Sequence, residues 1–319
     1  MLIAVLAVVA VVLTFLALRP RTAPPSPEFV AAGATSTPSA TPSVSPSVSP
    51  SVTPSDPDPS SSPSRDDSQL VKPFEPPLVM VSATVAYRAV PGTCLGGGTV
   101  FRTTDAGASW RLLEVPAQAV LTLRAASPKS LQAVVGSGDT CDPAVLASSD
   151  AGRTWSAQVD ESLWYRLGGD TDHIHAPSGP VLNPCADRTL PVVEVQGLTV
   201  TDAALLCPDG AVMRSIDGGQ FSQVSSVSGA SALAFEGREL GWLLVHDVNG
   251  CPAYVLYRTV DGGTTWETGG CVGTSDELAA AQPPAMAFAD TQLGMVTIGG
   301  VTYTTNDGGF TWSGVTPPP

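Results

Sequence analysis

The sequence predicts an all-β propeller, and three observations predict it. One pattern, [Ser/Thr]-x-Asp-x-Gly-x-x-Trp, recurs along the chain, four times in full and once worn. Its aspartates, Asp105, Asp150, Asp217, Asp261 and Asp307, stand 45, 67, 44 and 46 residues apart. A period of about 45 residues, with about four short strands in each, is blade spacing. Third, no long segment carries a helical apolar period, which argues against an α/β chain. Five blades are expected, or six if Leu78–Val90 and strands of the tail build another. An all-β sandwich is the alternative architecture. The ring is expected to close by pairing a strand near the domain start with the last blade, because an open ring leaves edges unpaired.

The full copies are Thr103–Trp110, Ser148–Trp155, Thr259–Trp266 and Thr305–Trp312. The worn copy, Ser215–Ser222, lacks the tryptophan and has Phe221 one place early. The pattern is a turn. Its Asp accepts backbone N–H bonds from the residues that follow. Its Gly takes a φ that other residues resist. The Ser or Thr ends one strand and the Trp starts the next, filling space between sheets. Burying that indole is worth about 2–3 kcal/mol. Apolar, strand-like flanks make a β-hairpin the better fit than a helix cap. Asp105, Trp110, Asp150, Trp155, Asp217, Asp261, Trp266, Asp307 and Trp312 are therefore expected to be structural. Arg102, Arg214 and Arg258 each stand three places before a box Asp. Their recurrence with the turn favours a structural salt bridge in each repeat over an anion site.

The motif resembles the Asp-box, or BNR repeat, of sialidases, sortilin-type receptors and photosystem II assembly factors, over Pro73–Pro319. The resemblance implies a propeller whose boxes join the third and fourth strands of a blade, on the rim away from the ligand face.

Residues Met1–Leu18 are apolar except Thr14. As a helix they would reach about 27 Å, enough to cross a bilayer. An uncleaved signal anchor is the preferred reading, and a cleaved signal peptide the alternative. Residues 19–72 form a Pro/Ser/Thr-rich linker, with Pro38, Pro42, Pro46, Pro50 and Pro54 at every fourth place. Such a segment buries too little apolar surface to fold and reads as an extended stalk. The expectation is a single-pass protein of the cell membrane, with residues 73–319 facing outside the cytoplasm.

The chain carries 29 acidic and 15 basic residues, a net charge of −14. That opposes nucleic acid and anionic membrane surfaces as partners. All six cysteines lie in the propeller region, which suits an oxidising compartment. Propeller topology would bring second-to-third-strand loops and inter-blade connections to one end. On that register the expected pairs are Cys94–Cys141, Cys185–Cys207 and Cys251–Cys271. No Cys-x-x-Cys occurs, so zinc is disfavoured. No metal and no cofactor is expected.

A sialidase-like hydrolase would need paired carboxylates, or a Glu-activated Tyr, together with an arginine triad. No Arg-Ile-Pro opens the domain, and the region is short for that family. The remaining candidates sit in the long third interval, where Trp164 and Tyr165 precede Asp170, Asp172, His173 and His175. In an extended chain the two histidines project to one side, as metal ligands can. Blade building is expected to spare this insertion, leaving it free to bind. The leading expectation is a non-catalytic propeller that binds an envelope protein or glycan. The alternative is a divergent sialidase-like glycoside hydrolase.

Overall fold

The computed structural model describes residues 77–315, apart from 139–140, 160–161, 167–169, 188, 247–249 and 279–282. All of them belong to the unit Ser62–Pro319. The apolar Met1–Leu18 run and the 19–72 linker lie outside the described residues. Among the described residues, no helix is long and apolar enough to cross a membrane.

Five four-stranded antiparallel sheets form five propeller blades. The first holds β1 (Leu78–Met80), β2 (Ala86–Val90), β3 (Thr99–Thr103) and β4 (Arg111–Leu113). The second holds β5 (Ala119–Ala125), β6 (Leu131–Ser137), β7 (Asp142–Ser148) and β8 (Ser156–Gln158). A two-stranded sheet follows, β9 (His173–Ala176) with β10 (Gly179–Leu182). The third blade is β11 (Glu194–Gly197), β12 (Ala203–Leu206), β13 (Ala211–Ser215) and β14 (Ser222–Ser226). The fourth is β15 (Ala230–Glu236), β16 (Leu240–His246), β17 (Tyr254–Thr259) and β18 (Glu267–Val272). A short helix, α1 (Ser275–Leu278), leads to the fifth, β19 (Ala285–Phe288), β20 (Gly294–Ile298), β21 (Val301–Thr305) and β22 (Ser313–Val315).

Leu78–Val90 thus builds the first two strands of blade one, not an extra blade. The expected strand exchange at closure is also corrected. Among the described residues every blade pairs only consecutive strands, and blades five and one meet through side chains. Met80 and Ala86 pack there on Ala287 and Met295, with Trp110 beside them.

Each repeat forms the turn between the third and fourth strands of its blade. In the first, Thr103 Oγ1 donates to Asp105 Oδ1 and accepts the Gly107 N–H at 2.9 Å. Ser109 then donates its N–H and its hydroxyl to the two Asp105 oxygens. The residue after each box Asp has a positive φ, alanine at 106 and 151 and glycine in the other three. Its N–H reaches the turn between strands one and two of the same blade, as from Ala106 to Thr84 O and from Gly262 to Glu239 O. The box therefore stitches the inner hairpin to the outer one.

Successive inner strands run in one direction, so one end of the ring carries all the box turns. We call it the box face. The other end carries the second-to-third-strand loops and the links between blades. The three disulfides, Cys94–Cys141, Cys185–Cys207 and Cys251–Cys271, lie there. They are the expected pairs, and that end is called the disulfide face.

Two of the arginines three places before a box Asp, Arg214 and Arg102, stack on rings, and among the described residues none of the three forms the expected ion pair. Arg214 donates to the Arg238 and Gly262 carbonyls and lies 4.6 Å from the Phe235 ring centroid. Arg102 lies over the Tyr87 ring at 6.0 Å. A guanidinium wedged among aromatic rings meets carbonyls and π-faces before it meets a carboxylate.

Candidate functional site

The insertion between blades two and three is a wedge. Leu163–Arg166 runs beside β9, and Tyr165 and His175 exchange backbone bonds at 3.0 and 2.8 Å. Alternation sends Leu163 and Tyr165 toward blade two, where they pack with Leu121, Val134 and the Cys94–Cys141 bridge. Trp164, Ile174 and Ala176 go the other way and pack on Ala203, Leu205 and Met213 of blade three. Ile174 and Ala176 are fully buried. The expectation that blade building spares this segment is therefore corrected: the wedge fills the gap between two blades.

The wedge also occupies the place of a neighbouring blade. Box glycines pack against the preceding blade, Gly263 near Val212 and Gly309 near Leu256. Gly219 of blade three meets Val181 of β10 instead. Ser178, at the tip of the β9–β10 hairpin, donates to Gly218 O at 2.8 Å, so the hairpin spans the ring from one face to the other.

The sequence candidates divide accordingly. Trp164 is 3% exposed, and its Nε1–H donates to Thr199 O at 2.9 Å. Tyr165 stacks on His175, with ring centroids 4.4 Å apart. Burial holds the His175 pKa below its usual value. At the disulfide-face end, Asp170 accepts the N–H groups of Asp172 and His173 and sits 3.1 Å from His173 Nδ1. Asp170 therefore touches an imidazole. Asp172 is exposed, and its carbonyl accepts the Asn183 N–H. Among the described residues, no group of three or more His, Cys, Asp or Glu side chains could hold a metal ion.

Residues not singled out from the sequence line the ring axis. A cavity of about 200 Å³ touches the inner strand of every blade and the wedge segment Ser162–Trp164. Its polar edge includes Thr122, Arg124, Glu194 and Gln196, beside Leu123, Phe235 and Phe288. A smaller cavity, of about 60 Å³, follows toward the disulfide face between Leu121, Tyr165, Arg166 and Glu194. Glu194 Oε2 accepts the Leu233 N–H at 3.0 Å. Gln196 accepts from Phe235 N and donates to Phe235 O, as another strand would. These two side chains occupy the inner edge of β15. The sequence signal for them is weak, two polar residues alternating within the apolar run Val192–Leu198.

One tyrosine–carboxylate pair bears on hydrolysis. The Tyr303 hydroxyl donates to Glu277, with oxygens at 2.7 and 2.6 Å. Burial, and then the Glu277 carboxylate, push the phenol up to about 12. An enzyme nucleophile needs the opposite shift. Glu277 also accepts the Thr274 N–H, so the pair ties the α1 connection to blade five.

No family model and no curated protein matches the chain. Solved structures resemble it in part. "YCF48 from Cyanidioschyzon merolae" is 15% identical with a TM-score of 0.41, over 77% of this chain and 87% of that one. An Aleuria aurantia lectin in complex with Fucalpha1-6GlcNAc is 11% identical with a TM-score of 0.49, over 78% and 97%. A Hadza microbial sialidase is 15% identical with a TM-score of 0.38, over 78% and 66%. Likeness at this level carries no assignment of function, and the blade count comes from this chain's own strand pairing.

Proposed function

We propose that this chain is a membrane-anchored, extracytoplasmic propeller that binds a protein or glycan of the cell envelope without catalysing a reaction. The observation that carries the reading is the axial cavity. Its size suits one side chain or one sugar ring: about 200 Å³, against roughly 300–1,000 Å³ for pockets that enclose a drug-sized molecule. Its polar groups Glu194 and Gln196 are already bonded to β15, which makes them positioning groups. The box residues are spent on their own turns and belong to the scaffold.

The anchor and the outward orientation rest on the apolar Met1–Leu18 run and on three disulfides, which persist in oxidising compartments. The test is to offer the purified full chain sialosides and a panel of aryl glycosides, and in parallel an array of envelope glycans and peptides. Saturable binding with no turnover supports the reading. Turnover that Tyr303→Phe abolishes would establish the hydrolase alternative instead.

A further inference from the structure

Charge is divided unevenly between the two ends of the ring. Among the described residues, the box-face half carries the five box aspartates with Asp202, Glu239 and Asp290, but Arg124, Lys129, Arg153, Arg214, Arg238 and Arg258 stand among them on turns or at strand ends and offset most of that charge. On the disulfide face the one described guanidinium is Arg166, which donates to Val192 O. The same face carries Asp142, Asp170, Asp172, Asp187, Asp209 and Asp276, by their places in its loops and strand ends.

Apolar side chains stand exposed among these carboxylates. Leu95 is 67% exposed, Leu182 58% and Val159 96%. The pairing is local. Leu95 follows Cys94 and Asp142 follows Cys141, and the bridge holds those cysteines at a Cα distance of 5.0 Å. Leu182 pairs with His173 in the β9–β10 register, and the next residue, Asn183, donates its N–H to Asp172 O. Twice, then, an exposed leucine sits beside an aspartate. Asp187 and Asp209 each lie two residues beyond a member of the Cys185–Cys207 bridge, so their backbone positions are fixed before any partner arrives.

We propose that the disulfide face docks a basic segment of a partner protein, one in which lysine or arginine alternates with apolar residues. Leucines on a rigid acidic surface give such a segment both burial and charge complementarity. An anionic bilayer or a sulfated glycan would meet repulsion here. This surface is separate from the larger axial cavity and goes beyond the reading built on it.

The test uses the full chain and a synthetic peptide of alternating lysine and leucine, with a lysine–serine peptide of equal charge as comparison. Affinity is measured at low and physiological salt. The variant Asp142→Asn/Asp172→Asn/Asp187→Asn is expected to bind the lysine–leucine peptide about fivefold or more weakly. Leu95→Ser is expected to weaken it as well, and the lysine–serine peptide to bind less tightly than the lysine–leucine one. A box-face control, Glu239→Gln/Glu267→Gln, is expected to leave affinity unchanged. If the triple variant melts early, the charge reversals Asp142→Lys and Asp209→Lys put the same question singly. The proposal is overturned if the box-face control loses as much affinity as the triple variant. It is equally overturned if Leu95→Ser and the serine peptide make no difference, or if binding vanishes at physiological salt, since either result means diffuse attraction to an acidic protein.

Discussion

Trp164 packs edge-to-face on Phe221, with ring centroids 5.9 Å apart and planes at 83°. The other four blades place their own box tryptophan against the blade before them: Trp110 clusters with Ala287 of blade five, Trp155 with Val100 of blade one, Trp266 donates to Ser225 Oγ of blade three, and Trp312 clusters with Trp242 and Leu256 of blade four. Blade three has Ser222 at that position and follows the wedge instead of a blade. The insertion supplies the missing indole from outside the repeat. The worn box and the long interval are thus two halves of one substitution.

Trp164→Ala is therefore expected to cost about 3–5 kcal/mol, in the range for a large buried aromatic side chain. Denaturant unfolding measures it. A loss below about 1 kcal/mol would mean that Trp164 does not carry the seam.

Removal of the Cys185–Cys207 bridge probes how the wedge is held. The bridge closes a span of 22 residues, and releasing a loop of that order costs about 3 kcal/mol. Cys185→Ala/Cys207→Ala should lower the melting temperature, and the backbone amides of β9 and β10 should exchange faster. Replacing residues 168–179 with a short Gly/Ser linker should be more damaging, because it deletes Ile174 and Ala176 from the core. Unchanged melting in the linker variant would make the wedge dispensable.

Acid should weaken the box turns. Bonds from the Ser109 hydroxyl and N–H hold the Asp105 pKa at about 2. The Thr265 hydroxyl and N–H do the same for Asp261, also at about 2. These folded values lie below the unfolded carboxylate value of about 3.9. Stability from these groups is present above about pH 4 and is lost as pH falls toward about 2. Thermal melting across that window should fall, and Asp261→Asn should flatten part of the slope.

Two boxes carry an avoidable strain. Ala106 and Ala151 hold φ of 59° and 66°, where the other three boxes have glycine. A left-handed non-glycine residue costs roughly 1–2 kcal/mol, offset in part by the larger unfolded-state entropy of glycine. Ala106→Gly and Ala151→Gly should each raise stability by up to about 1 kcal/mol, read as a higher denaturant midpoint. A fall at either site would show that the alanine methyl contributes packing.

The ring was legible because the box is local. A turn that needs Asp, Gly and a hydroxyl at fixed offsets writes itself into the sequence at every blade, and its spacing marks the blades. The cysteine pairs followed once that register was applied. The wedge was not legible. Gly168, Gly169 and Asp170 read as an exposed polar loop, and only Ile174 and Ala176 alternate inward. Trp164 and Phe221 meet only after folding, so no local pattern joins them. The closure was missed because the described contact between blades one and five is side-chain packing of Met80, Ala86, Ala287 and Met295, which leaves no strand pattern to read. The axial residues stayed hidden for a similar reason. Glu194 and Gln196 act through the edge of a strand that lies some forty residues further on, at Leu233 and Phe235.

The most direct test of the proposed binding role is photocrosslinking from the axial cavity in the native envelope. A photoreactive residue replaces Thr122, which lines the cavity, and a control probe replaces Gln158 on the exposed outer strand β8. The account predicts a discrete adduct with one envelope protein or glycan from position 122 that is absent from position 158. Identical patterns from the two positions, or no adduct from either, would contradict it.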